Sequence, residues 1–102
     1  MADFRKLIVW QKANSLSVET AKTIEGIQGI AGSILRAQLL RSTFSIQANI
    51  AEGSSKRSDK EFARYVRIAL GSSTESANHL ILLHSLELVD TAHFESLSAK
   101  ID

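Results

Sequence analysis

Apolar residues recur at three- and four-residue spacings along most of this chain, a rhythm that predicts helices. The first helix is expected from about Lys6 to Glu25, with Leu7, Trp10, Ala13, Ser17, Ala21 and Ile24 along one side. Val9, Leu16 and Thr20 broaden that side, while Gln11, Lys12, Glu19 and Lys22 are polar positions around the remainder. Trp10 reads as a core anchor, the commonest use of a buried aromatic ring. The second helix is expected from Ser33 to Glu52 and carries two stripes: Leu35, Leu39, Ser42, Ile46, Asn49 and Ile50, then Leu40, Phe44, Ala48 and Ala51. The third, from Asp59 to Leu88, is long, about 45 Å at 1.5 Å per residue. Phe62, Val66, Ala69, Ser73, Ser76, Leu80 and Leu83 follow its period. Asp90 or Thr91 can cap a last helix of about three turns, with Phe94, Leu97 and Ile101 on its apolar side.

Between the helices the turn chemistry is readable. Arg41 to Phe62 ends one apolar run, turns and starts another. Gly53 is positioned to close the second helix in a left-handed conformation. Ser58 and Glu61 form Ser-x-x-Glu, in which the hydroxyl accepts from the Glu61 amide and the carboxylate reaches back to the Ser58 amide. Gly26, Gly29 and Gly32 supply a flexible connection between the first two helices. The fold expected is all-α: a single domain over 1–102, an antiparallel up-down-up-down four-helix bundle with a short fourth helix. The small residues of Ala69 to Ala77 should let a neighbouring helix approach closely. Gly71 costs about 1 kcal/mol against alanine there, and packing should offset it.

A surface helix needs one apolar stripe, and two on the second helix imply two covered sides. The second cover can be another copy of the chain, with Leu40, Phe44 and Ala48 at the oligomer interface. A short fourth helix, which leaves part of the third uncovered, points the same way. Asn49, on the first stripe, either fixes register from a buried position or hydrogen-bonds the corner that follows.

Composition narrows the class. Hydrophobic residues make up 44% of 102, enough for one core. Proline and cysteine are absent, so no helix must kink and no disulfide or thiolate metal site exists. No apolar run approaches the roughly 20 residues of a membrane span. With no secretory signal pattern at the N-terminus, a cytoplasmic location is the expectation. Net charge is only +1, but its distribution is uneven. From Arg36 to Arg67 there are seven basic residues against three acidic ones; from Ile68 onward there is one against five. One end of the molecule should be positive.

That positive end is the main candidate for chemistry. Lys60, Arg64 and Arg67 are spaced i, i+4, i+7 and share one helix face, with Lys56 and Arg57 just before it. Together with Arg36 and Arg41 they can contact phosphates through counterion release, independent of base sequence. The alternative is a solvated face partly neutralised by Asp59 and Glu61. Other chemistries find less support. The glycine-rich connection lacks the strand and the Lys-Ser/Thr of a phosphate loop. His79, His84 and His93 do not reproduce the paired Glu-x-x-His of a di-iron bundle; Glu75 and His79 instead suit an i,i+4 pair. Serines are plentiful, but no nucleophile elbow occurs, and Glu52 is better placed to pair with Arg57 or Lys56, or to cap the local backbone, than to act as a base. No catalytic residue, metal site or cofactor is expected.

Trp10-Gln-Lys-Ala13, Gln38-Leu39, Ser45-Ile46, Asn49-Ile-Ala-Glu-Gly53, Ser58 to Phe62, and Gly71-Ser72 with Glu75 form a series. In order and spacing it resembles the four-helix-bundle family of bacterial ribosomal-RNA intervening-sequence proteins. These are encoded within inserts of large-subunit ribosomal RNA genes and are also labelled S23-type. The family is similar to the accessory variability proteins of diversity-generating retroelements. The resemblance spans about residues 4 to 88 and implies a ring-like homopentamer. In the retroelement relatives it implies a basic barrel that binds reverse transcriptase and nucleic acid. Four departures stand out: Leu40 where the first of two adjacent arginines is usual, Gln47 for a common proline, Ala77 for glutamate, and a shorter fourth helix.

The function expected is a non-enzymatic homo-oligomer, a pentamer by resemblance, that binds RNA or DNA through Arg36, Arg41, Lys56, Arg57, Lys60, Arg64 and Arg67. The rival is a scaffold whose basic surface meets an acidic protein or a polymerase.

Overall fold

The computed structural model describes residues 3–101. Four helices follow in order: α1 (Ile8–Ile24), α2 (Ile30–Ser54), α3 (Asp59–Ser85) and α4 (Thr91–Ile101), with a single 3-10 turn at Phe4–Lys6 ahead of them. No strand occurs among the described residues. Each helix packs on its sequence neighbours, and α1 and α4 close the bundle. The result is the expected up-down-up-down architecture, 44 Å long and about 20 Å across.

The core is built from the predicted stripes. Ile24, Leu39, Leu80, Leu83 and Leu97 are the large apolar side chains taken fully out of water, one or two from each helix. Such burial stabilises by about 1.5–3 kcal/mol per side chain. Running beside this core is a polar seam between α2 and α3. The Ser42 and Ser76 hydroxyls meet at 2.7 Å, and Ser72 donates to Ser45 Oγ at 2.9 Å. Asn49 joins the same seam, donating to the carbonyl and hydroxyl of Ser45 at 2.8 and 3.0 Å. It therefore neither occupies a fully buried register position nor reaches the corner. Buried hydroxyls need partners, and here the facing helix and each helix's own carbonyls supply them.

Three glycines behave differently from their sequence reading. Gly53 is not left-handed. It lies inside the last turn of α2, and a Cβ added there would stand 2.7 Å from Tyr65 Cβ and 2.9 Å from Phe62 Cδ1. Its role is close approach of backbone to α3. The left-handed glycine is Gly29, at φ 89°, which caps α2, so that the helix starts at Ile30, three residues before the expected start. Gly71 faces outward with nothing near a would-be Cβ, so no packing offsets its cost. The close contacts come from Ser72 and Ser76 instead.

The fourth helix has 11 residues and covers only the second half of α3, where Ser73 Oγ donates to Ile101 O at 3.3 Å. Asp90 caps it, accepting from the His93 amide at 2.8 Å. Toward the α2–α3 corner no described element takes its place, and Val9 and Leu70 remain 53% and 62% exposed.

Candidate nucleic-acid interface

The α2–α3 corner forms because three local devices coincide. Ser55 N–H closes α2 on Glu52 O at 3.1 Å. Ser58, extended at φ −125°, then accepts from the Glu61 amide at 3.2 Å and starts α3. The carboxylate half of the expected capping box is not made. Gly53 lets Phe62 and Tyr65 seat directly on the end of α2. The corner is therefore a fixed platform, and its basic residues project from it.

Arg57, Lys60, Arg64 and Arg67 are exposed, and among the described residues no ion pair joins any of them to an acid. Lys60, Arg64 and Arg67 follow the outer side of α3, opposite the buried Ala69 and Ser76. Lys56 is half-buried, its Nζ lying over the Tyr65 ring 5.2 Å from the centroid. Tyr65 was absent from the sequence reading; an isolated aromatic on a core-side position gave no sign that its ring would meet a cation. The Glu52 carboxylate pairs with neither Lys56 nor Arg57.

Two other basic residues grouped with this set lie elsewhere. Arg36 is 18 residues before the end of α2, about 27 Å along the helix from the corner. Its Nη1 donates to Glu25 O at 3.2 Å and Ile27 O at 2.7 Å, holding the end of α1. A cation suits carbonyls exposed at a helix C-terminus. Arg41 sits midway along the bundle, bonded to Gln38 Oε1 at 2.9 Å and ion-paired with Glu75 of α3. The same Glu75 oxygen lies 3.1 Å from His79 Nε2, which is the expected i,i+4 pair. The His79 hydrogen bond chiefly holds the Glu75 carboxyl below its ordinary range, against the opposing effect of burial, and the Arg41 charge adds to the lowering. The seven-residue basic set thus resolves into a five-residue corner and two residues engaged within the fold.

The second stripe of α2 divides as well. Leu40 is half-buried against the core, whereas Phe44 is 48% exposed and Ala48 faces solvent. Phe44 and Ala48 line an open groove of about 480 Å³ between α1 and α2, opposite Trp10 and Val18. Trp10 is half-buried there, edge-on to Phe4 at 5.2 Å, so it anchors the core with one side and walls the groove with the other. At the floor, Gln47 Nε2 donates to Asn14 Oδ1 at 3.2 Å while the buried Gln47 Oε1 has no partner.

No group of three or more His, Asp or Glu side chains converges to hold a metal among the described residues. His84 stacks on Phe94 at 4.2 Å and His93 Nδ1 lies 2.8 Å from Asp90, at the α3–α4 turn. No described helix is long and apolar enough to cross a membrane.

The family model described as 23S rRNA-intervening sequence protein matches residues 5–102. A crystal structure from Bacteroides thetaiotaomicron, a protein of unknown function from the S23 ribosomal protein family, superposes with a TM-score of 0.84 at 26% identity. The match covers 92% of this chain and 88% of that one. No curated protein matches the chain. Neither description names an enzymatic activity. A helical bundle with its corner glycine against α3 and a family match over nearly its whole length leads to one assignment: this chain belongs to the 23S rRNA-intervening sequence protein family.

Proposed function

We propose that this protein is a non-enzymatic, cytoplasmic homo-oligomer, a pentamer, that binds nucleic acid, RNA in particular, through the α2–α3 corner. The observation that carries the reading is the corner itself: Arg57, Lys60, Arg64 and Arg67 are exposed there with no acidic partner among the described residues, and Lys56 stands beside them. Side chains of this kind release counterions from phosphates and confer affinity with little base readout. Arg36 and Arg41, engaged in the fold, act at most from the margins of the site. Assembly is supported by the α1–α2 groove. Phe44 and Ala48 leave apolar surface facing water there, and a second copy laid against it brings further corners into one surface.

The test is binding of RNA at varied salt together with solution mass by light scattering. Affinity should fall with salt by about 0.7 log units per log unit for each phosphate contacted on a single strand. Reversing Lys60, Arg64 and Arg67 to glutamate should remove binding while the helical content stays. Absent binding at low salt, or binding indifferent to those reversals, rejects the corner; a monomer at working concentration rejects the assembly. A protein partner retained after nuclease treatment, with no affinity for RNA, supports the scaffold reading instead.

A further inference from the structure

We propose that Tyr65 is a base-stacking residue, and that the corner therefore takes single-stranded nucleic acid in preference to duplex; this rests on the corner being the nucleic-acid surface. The other aromatic residues have packing partners or line other surfaces. Phe4 and Trp10 pack on each other beside the α1–α2 groove, Phe44 lines that groove, Phe94 stacks on His84, and Phe62 abuts Gly53. Tyr65 is the aromatic ring with a cation of the corner over it.

Its placement follows from helix geometry. Side chains on a helix lean toward the N-terminus, so the Tyr65 ring reaches back along α3 toward the turn that carries Lys56. The root of the side chain is fixed: Tyr65 Cβ lies so near Gly53 that a Cβ added there would be 2.7 Å away. The ring is thus a positioned platform, half-buried, with the Lys56 tail over its face. Lysine is a flexible cover. A phosphate beside the corner offers Lys56 a full opposite charge, a stronger partner than the face of a ring. When Lys56 turns to the phosphate, the face it covered is open to the adjoining base.

The charges around the ring favour that division. Glu61 lies one turn before Tyr65 on α3 and repels phosphate, which places a base rather than the backbone against the ring. Lys56 holds the backbone beside the ring, and Lys60, Arg64 and Arg67 continue the positive surface along the outer side of α3. Bases within a duplex are already stacked on each other and cannot reach a ring at the surface, whereas an unpaired base presents its face.

The experiment measures binding of labelled oligouridine and of a duplex of equal length to the intact protein by fluorescence anisotropy, with Y65F, Y65L and K56Q. Single strands should bind about tenfold or more tightly than duplex. Y65L should lose about tenfold on the single strand, with the salt slope and duplex affinity unchanged, and Y65F should behave as wild type. K56Q should lower the salt slope by about one phosphate and keep the strand preference. A second measurement needs no variant: photocrosslinking of bromouracil-substituted RNA to the wild-type protein should place the adduct on Tyr65. Equal affinity for both strand forms, a Y65L variant that binds as wild type, or adducts only at other residues would overturn the stacking role and leave the basic corner standing. Absence of salt-dependent binding to either form overturns the corner and Tyr65 together.

Discussion

Gly53 and Tyr65 bring the end of α2 and the start of α3 so close that no side chain fits between them. A Cβ at position 53 would lie 2.7 Å from Tyr65 Cβ, and neither atom is the movable end of a flexible chain. The tightness fixes the direction in which α3 leaves the corner, and with it the row formed by Lys60, Arg64 and Arg67.

G53A should therefore destabilise despite alanine's better helix propensity. The backbone at Gly53 is helical, so the penalty is steric and amounts to about 1–3 kcal/mol, as for other over-packed positions. Thermal unfolding followed by circular dichroism reads it. A melting temperature at or above wild type would show that α3 can shift away at no cost.

G71A should do the opposite. Gly71 is in the middle of α3, faces solvent, and has nothing within 4 Å of a would-be Cβ. Alanine gains about 0.5–1 kcal/mol of helix stability with no clash. In a domain of this size that raises the melting temperature by about 4–8 °C per kcal/mol. An unchanged or lower value would mean that the position meets something beyond the single chain.

Glu75 links stability to acid. Its carboxyl is held below the ordinary 4.5, chiefly by the hydrogen bond with His79 and then by the Arg41 charge. A depressed folded-state pKa means the unfolded chain takes up the proton first. The contribution is complete above about pH 4.5 and is lost as pH falls through the lower folded value. Urea midpoints measured from pH 7 down to pH 3 should fall more steeply for wild type than for E75Q. Parallel curves would remove the linkage. The carboxylate is solvent-exposed, so screening by salt should flatten the difference.

On the proposed assembly, a change at Phe44 should separate folding from association. At 48% exposure Phe44 contributes only part of its burial to the single bundle, and F44S should cost dilute protein about 1–2 kcal/mol and leave it folded. In the assembled protein it should lower the solution mass and abolish the rise of melting temperature with protein concentration. A variant with unaltered mass would place the contact between copies on a different face.

How far the sequence could be read depended on the range of the interactions concerned. The periodic stripes that predicted Leu39, Leu80 and Leu83 in the core depend only on residues a turn apart, and all three are buried. Ser58 was legible as a cap for the same reason, since donor and acceptor lie three residues apart. Gly53 was legible as special but not as to why: a left-handed turn and a close contact both require glycine, and only the position of Tyr65 distinguishes them. Arg36 and Arg41 looked like members of one basic set because a charge count ignores where each side chain finds a partner.

From the order of residues alone came the helices, their antiparallel return, the short last helix and the concentration of positive charge in one stretch, because each is set by local spacing and composition. The tertiary structure decided which cations remain unpaired. Glu75 reaches Arg41 across 34 residues of sequence, the end of α1 engages Arg36, and Lys56 comes to lie over Tyr65. Those pairings are set by how two helices pass one another, a relation between distant residues that no local pattern encodes.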